Sequence, residues 1–313
     1  MHDRPKEESQ FRAYLELLRI PNVFTAIADV MMGYLVVQGT FEPYGPLIIL
    51  IATSSCLYLA GMVFNDLFDR EIDAVERPER PIPSGRVSVS AAQMIGIMLL
   101  SAGLAMSLQL SWRLMNFVPF GVACGIAVLA LLYNKWLKQT LLGPLALGGC
   151  RFLNVFLGMS LMLDPPSGMH WMIAGGVGVY IAGVTLFAQG EAGISSRSRL
   201  VIATALMFAG IALVALSPRF VSENQEWRLA GMPPAWPYFW VVLVLHILWR
   251  NSQAILVPSP AHVQTAVKNG IMSLIVIDAA ASVPMASLGM LSPMFILILI
   301  IPATMLGRWI YST

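Results

Sequence analysis

Residues 64–86 read FNDLFDREIDAVERPERPIPSGR, and the first sixteen of these positions hold eight ionic side chains: Asp66, Asp69, Arg70, Glu71, Asp73, Glu76, Arg77 and Glu79. On a helix, Asn65, Asp69 and Asp73 stand at i, i+4 and i+8. At 100° per residue they form a stripe about 80° wide, with Asp66 one step off it. An amide oxygen and two or three carboxylates on one face suit a hard cation that prefers oxygen. Mg2+ takes one or two carboxylates and completes its shell with water and phosphate oxygens. The stretch has no Cys or His, which argues against zinc and copper. Downstream, Arg77, Arg80 and Arg86 lie in a Pro/Gly loop, and guanidinium forks match phosphate oxygens. Acids for a metal followed by bases for a phosphate describe a diphosphate site. The plainer alternative is a solvated loop whose charges pair with one another. It accounts for the arginines, but not for acids at a four-residue period where a long apolar segment ends and carboxylates are costly.

The rest of the chain is oily. Of its 313 residues 57% are hydrophobic and 12% charged, with a mean hydropathy of +0.73. The charged share is half the roughly 25% of an ordinary soluble domain. Ten apolar segments recur at about 22–38, 45–65, 91–110, 115–133, 141–162, 169–188, 199–216, 235–250, 269–288 and 291–310. Most approach the roughly 20 residues that a helix needs to cross a bilayer. The expectation is an all-α, polytopic membrane bundle of nine to ten transmembrane helices. The last two segments, separated by GMLSP, read either as two spans or as one span and a re-entrant piece. With no linker or repeat in view, residues 1–313 form one domain in this reading, and residues 1–20 a cytoplasmic N-terminal arm. That arm is polar and then amphipathic, without the short apolar core of a cleavable leader. Fourteen of the 19 Lys and Arg fall on the side of the acidic stretch and three on the other, which makes the acidic side cytoplasmic. A bacterial inner membrane is the expected location. The net charge of +2 is scattered, with no basic run, so no nucleic acid is expected as a partner. Cys56, Cys124 and Cys150 sit inside apolar runs and read as small hydrophobes.

These motifs carry a family resemblance. NDLFDREID resembles the N-D-x-x-D-x-x-x-D motif of the UbiA superfamily of membrane prenyltransferases. ERPERPIPSGRVS is similar to the arginine segment that follows it there, and LYNKWLKQTLLG to the family's Tyr…Lys segment. AVERPERPIPSGR together with LFAQGEAGISSRSR is most similar to the EboC-like subgroup. The resemblance implies a helical bundle around a central cavity, with two acidic motifs that bind Mg2+ and an isoprenyl diphosphate. The prenyl group would pass to an aromatic or other lipophilic acceptor within the membrane. Matched residue by residue, Asn65, Asp66, Asp69 and Asp73 would serve the metal, with Asp66 and Asp69 catalytic. Arg77, Arg80 and Lys138 would grip the diphosphate. The second acidic motif departs from the family pattern. Gln189 to Ser196 reads QGEAGISS, with Glu191 its single acid, so Glu191 would be both metal ligand and catalytic residue on that side.

Other polar groups stand inside apolar segments. Asn22, Arg151 and Asn154 are candidates for substrate binding in a cavity; Arg151 also reads as a brace between helices. His246 beside Arg250 reads as a satisfied core histidine, Asp278 as structural, and Lys268 with Asn269 as an edge of the site. A second function stays open: a catalytically degenerate relative that binds an isoprenoid or its diphosphate and assists export or assembly. A transporter fits less well, because the charge lies at one face and not at the midplane.

Overall fold

The computed structural model describes residues 4–189, 196–221, 232–287 and 289–311, with the side chains of residues 4–9 and 311 left aside. Helix α1 covers Arg4–Leu18 and α2 Ile20–Gln38; α3 covers Tyr44–Phe68 and the short α4 Arg70–Glu76. Then come α5 (Val89–Leu114), α6 (Val118–Leu132), α7 (Gly143–Met159), α8 (Gly168–Ala188) and α9 (Arg197–Leu216). The chain closes with α10 (Trp236–Leu256), α11 (Pro260–Ser282), α12 (Leu291–Ile298) and α13 (Ile300–Tyr311). Among the described residues, nine stretches are helical, long and apolar enough to cross a membrane. A tenth leg, α7, has 17 residues. At 1.5 Å per residue it is about 26 Å long, the lower end of what spans a bilayer.

The legs run up and down, so that the start of α2 and the end of α3 meet at the acidic stretch, where Arg19 reaches Asp66. At the opposite end the turn after α11 closes on the end of α2, with the Ser287 N–H donating to the Gly39 carbonyl at 2.8 Å. The last apolar segment then returns. Arg12 donates to the carbonyl of Ile310 at 2.8 Å, which puts the end of α13 beside α1. Segments 269–288 and 291–310 are therefore two crossings with no re-entrant piece, and α11 begins nine residues earlier than its apolar core.

The N-terminal arm is not a free extension. From Gln10 on it forms part of the first apolar helical stretch, which runs to Gln38. Ala13 and Leu17 are buried with Val63, Leu67, Ile82, Val87 and Ala92. This buried stripe is the apolar side of the segment that reads as amphipathic. Between α1 and α2, Arg19 takes a left-handed backbone, φ 48°, and Pro21 occupies the first turn of α2, where its missing N–H costs nothing.

Small residues let the inner helices approach closely. A Cβ on Gly158 would lie 2.3 Å from the carbonyl oxygen of Val30, and one on Gly33 2.4 Å from that of Val155. The α2–α7 crossing therefore depends on both glycines, as in membrane bundles where packing and not water expulsion holds helices together. Large apolar side chains point outward instead, among them Ile97 and Met98 on α5 and Val242 and Leu245 on α10. A lipid-facing surface accounts for them.

Candidate active site

The last turn of α3 delivers the acidic stretch. Asn65, Asp66 and Asp73 are buried. The helix pauses at Asp69 and resumes as α4, yet the turn between Asn65 and Asp69 is kept, with the Asp69 N–H donating to the Asn65 carbonyl at 3.0 Å and the Asp73 N–H to that of Asp69 at 2.8 Å. The expected stripe is thus present, carried by two helices in place of one.

Each pair of oxygens on this stripe meets one cationic nitrogen. Lys138 Nζ donates to Asn65 Oδ1 at 2.9 Å and pairs with Asp69 Oδ2. Arg80 Nη1 donates to Asp73 Oδ2 at 2.6 Å and lies 3.6 Å from Asp66 Oδ1. Arg19 Nη2 adds a 2.9 Å bond to Asp66 Oδ1, and Asn65 Nδ2 donates to the same oxygen at 3.2 Å, joining the two groups. Lys138 arrives by way of a π-helical stretch, Tyr133–Leu137, at the end of α6. The Lys138 N–H bonds the carbonyl five residues back, at Tyr133, and Asn134 anchors the stretch by donating to the Gly61 carbonyl at 2.9 Å. Such single π turns recur at functional sites.

The loop 77–86 folds over α4. The Val87 N–H donates to the Pro81 carbonyl at 2.9 Å, and Gly85 supplies a left-handed turn residue, φ 73°. This brings Arg80 back onto the acids. Arg86 turns the other way, 2.8 Å from Glu16 Oε2 on α1, with a 2.6 Å bond to the Glu79 carbonyl.

Beside the acids lies a cavity of about 830 Å³. Asp66, Arg80 and Arg86 form one wall, Arg19 and Asn22 the start of α2, and Lys268 and Arg308 the far side. Val267, Ile271, Met272 and Ala303 make the lining apolar in part. A volume of this order holds a lipid-sized ligand.

Mg2+ fits the donor set. The oxygens of Asn65 and Asp69 converge on one positive atom, and those of Asp66 and Asp73 on another, so two points are already shaped for a cation. All four donors are hard oxygens of the kind Mg2+ takes. Among the described residues, no three His, Cys, Asp or Glu side chains form a group that could enclose a metal without help. A metal here would thus rely on water and phosphate for the rest of its shell.

The sequence model of the UbiA prenyltransferase family matches residues 26–250. The chain belongs to the UbiA prenyltransferase family. The digeranylgeranylglyceryl phosphate synthase of Sulfolobus acidocaldarius is 37% identical over 129 residues, 41% of this chain and 44% of that protein. The enzyme of the same name from Sulfurisphaera tokodaii is 36% identical over 149 residues, 47% and 51% of the two chains. The match thus spans about half the length of these relatives. Solved structures share the fold. A UbiA homolog from Aeropyrum pernix K1 superposes with a TM-score of 0.64 at 19% identity, covering 82% of this chain and 96% of that one. A UbiA homolog from Archaeoglobus fulgidus bound to GPP and Mg2+ gives 0.60 at 15% identity, covering 82% and 98%.

Within this family fold, the expected site residues fall into separate places. Asn65, Asp66, Asp69, Asp73, Arg80 and Lys138 come together at the mouth, with Asn22 in the cavity wall. Arg77 ends α4, its N–H donating to the Asp73 carbonyl at 2.9 Å, and does not line the cavity. Glu191 lies outside the described residues. Arg151 and Asn154 belong to a second, deeper cluster. Arg151 Nη1 donates to Asp29 Oδ2 at 2.9 Å and Nη2 to Thr25 Oγ1 at 2.7 Å. Asn154 Nδ2 donates to Asp29 Oδ2 and to the Ala26 carbonyl, both at 2.9 Å, and Ser54 donates to Asn154 Oδ1 at 2.6 Å. This knot borders a separate pocket of about 70 Å³ between α3, α6 and α7. Asp29 and Asp278 are fully buried and face each other, and among the described residues no other side chain donates to Asp29 Oδ1 or to either oxygen of Asp278. His246 Nε2 lies 2.9 Å from Asn269 Oδ1.

Sequence reasoning passed over Arg19, Asp29 and Arg308. Arg19 read as an orienting charge, and only its position beside a proline-started helix hinted at more. Asp29 is a lone acid in an apolar run, a signal that intramembrane acids always deserve.

Proposed function

We propose that this protein transfers an isoprenyl group from an isoprenyl diphosphate to a lipophilic acceptor in the membrane, with Mg2+ as cofactor. The observation that carries this reading is the double convergence of oxygens, Asn65 with Asp69 and Asp66 with Asp73, of which Asp66 and its partner Arg80 stand in the wall of a lipid-sized cavity. The names of the similar proteins and the Mg2+ and GPP in the Archaeoglobus fulgidus homolog agree with it. Bound Mg2+ would neutralise charge on the departing diphosphate. Asn65, Asp66, Asp69 and Asp73 would hold the metal, together with Glu191 from the second motif. Arg80 and Lys138 would hold phosphate oxygens by leaving their carboxylate partners, and Arg77 would join them from the end of α4. In the transfer, the allylic C–O bond breaks and its electron pair leaves with the diphosphate. A new bond forms from that carbon to the acceptor, and the acceptor loses a proton. The apolar cavity lining shields the allylic cation from water. Once moved from carboxylate to phosphate, Arg80 and Lys138 would stabilise the charge on the leaving group.

We read residues 1–313 as one transmembrane unit with its acidic mouth on the cytoplasmic side, on the strength of the Lys and Arg excess there. The relatives named above are archaeal, and no residue of this chain argues for a bacterial host.

Asp69→Ala tests the site. It should abolish Mg2+-dependent binding of an isoprenyl diphosphate in a protein that still folds, as measured by titration in detergent; unchanged binding would sink the assignment. Glu191→Gln should cut diphosphate release far more than binding, because the developing charge is what the second motif would serve. A wild-type chain that binds isoprenyl diphosphate but turns over no acceptor would favour the non-catalytic relative.

A further inference from the structure

The knot beneath the cavity, with both of its acids ionised, carries one negative charge too many. Asp29 on α2 and Asp278 on α11 are fully buried and face each other within hydrogen-bonding reach. One cation answers the two of them, Arg151 on α7, whose Nη1 is on Asp29 Oδ2. A guanidinium keeps its proton, and Nη2 is already spent on Thr25. The other elements around the pair bring no second cation among the described residues. On α3, Tyr58 has the Arg151 guanidinium over its ring, 5.2 Å from the centroid. On α8, the Tyr180 hydroxyl donates to the Gly270 carbonyl at 2.8 Å. Helix α12 has no ionisable residue, and α13 has none before Arg308, which lines the cavity. Two bare carboxylates side by side in a low-dielectric interior repel each other.

The open atoms show what would answer them. Asp29 Oδ2 already accepts from Arg151 and from Asn154. Asp29 Oδ1 and both Asp278 oxygens receive nothing from any other side chain. One proton on an Asp278 oxygen removes the excess charge and makes that oxygen a donor to Asp29 Oδ1. A metal cation is served badly here, because three oxygens are open and hard cations take about six or more. We propose that Asp29 and Asp278 form a proton-binding site, in which Asp278 is the neutral acid and donates its O–H to Asp29 Oδ1. The proton fastens α11 to the α2–α7 pair. Asn22 and Ile271, both in the cavity wall, stand seven residues before Asp29 and Asp278 on the same two helices. Seven residues bring a helix back to nearly the same face, about 10 Å along. The site therefore lies directly under the cavity, and Thr25 links the two levels by donating to the Asn22 carbonyl at 2.7 Å. Loss of the proton leaves two facing carboxylates under one arginine and drives α2 and α11 apart below that wall.

The test uses the purified full-length chain in detergent. Infrared spectra at neutral pH should show the C=O stretch of a protonated carboxyl in the wild type, shifted by isotope-labelled aspartate and absent from Asp278→Asn. Denaturant titrations over a pH series give the second readout. The folded chain holds one proton that an unfolded aspartate releases above about pH 4. The stability from this site is thus full below that pH and is lost as pH rises. The amide of Asp278→Asn donates without binding a proton. Relative to that variant, the unfolding equilibrium constant of the wild type should grow about tenfold per pH unit between about pH 5 and 8. Parallel pH curves would overturn the proposal, and so would a wild type without the carboxyl band. Stabilisation of the wild type, and not of Asp278→Asn, by sodium chloride over choline chloride would overturn it too, by putting a metal cation in the proton's place. Should Asp278→Asn not fold, the labelled wild-type band still decides, its absence refuting the site.

Discussion

The acidic mouth and the deeper knot around Asp29 use the same chemistry, carboxylates set against guanidinium or ammonium groups, in opposite surroundings. At the mouth the cations stay in touch with water; the side chains of Arg19 and Lys138 are 27% and 33% exposed. In the knot Asp29 is wholly buried and Arg151 nearly so, at 11%. A pair whose cation keeps contact with water is more easily exchanged than one wholly buried, even though Asp66 and Asp73 themselves are buried. A buried pair is hard to break, because either partner alone becomes an uncompensated charge in a low-dielectric interior. The mouth is therefore built to trade partners, releasing carboxylates to a metal and cations to a phosphate. The knot is built to hold α2, α3 and α7 in one arrangement beneath it.

Breaking the knot should cost the most. Arg151→Leu strands Asp29 and should destabilise the protein by about 3–5 kcal/mol, read as a large drop in unfolding temperature in detergent. Diphosphate affinity, measured well below that temperature, should change little; a large loss would place Arg151 in the site itself. At the mouth the pattern should reverse. Lys138→Gln should leave stability nearly unchanged and weaken isoprenyl-diphosphate binding by about 1.5–3 kcal/mol, the value of a hydrogen bond to a charged group. An equal loss for an uncharged isoprenol would contradict a phosphate contact. A gain should come from Asp278→Asn. It removes one acid from a buried group that has two acids and one arginine, and its amide can donate to Asp29 Oδ1. A stabilisation of about 1 kcal/mol is expected, and a lower unfolding temperature would show that the Asp278 carboxyl itself is needed. The smallest effect belongs to Arg86→Gln. Its pair with Glu16 is partly exposed, so stability should move by at most about 1 kcal/mol.

Much of the mouth was legible because its signals are local. Asn65, Asp69 and Asp73 are one helical turn apart, and Arg80 follows within a loop of fixed turns, so spacing alone brings them to one place. The ten apolar runs likewise announced nine to ten legs, since length and hydropathy decide what crosses a membrane. What stayed hidden depends on distant pairings. Asp29 meets Arg151 across 122 residues, and nothing near either residue names the other. Arg19 reached the site only because its own backbone turns left-handed, a geometry that an arginine does not advertise. Lys268 read as an edge of the site and Arg308 as a charge near the end of the last apolar segment, and only the packing of α11 and α13 around a common cavity brings the two together. The arm read as amphipathic, but Ala13 and Leu17 do not name what they bury against until α3 and the loop after α4 supply the other half.

The π turn at Tyr133–Leu137 has a consequence for inheritance. A helix is a screw, and one surplus residue in a single turn resets the phase of everything that follows by about 100°. Lys138 faces Asn65 and Asp69 because that surplus is present. Loss of one codon from this stretch would let the screw close into an ordinary α-helix, with the lysine's N–H still on the Tyr133 carbonyl, now four residues back, and its side chain still facing the acids. Closure of the turn with no residue lost would instead swing the lysine off them. Single-residue deletions among residues 135–137 should therefore keep more isoprenyl-diphosphate affinity than Lys138→Gln, and a loss as large as that variant's would refute the role of the surplus residue.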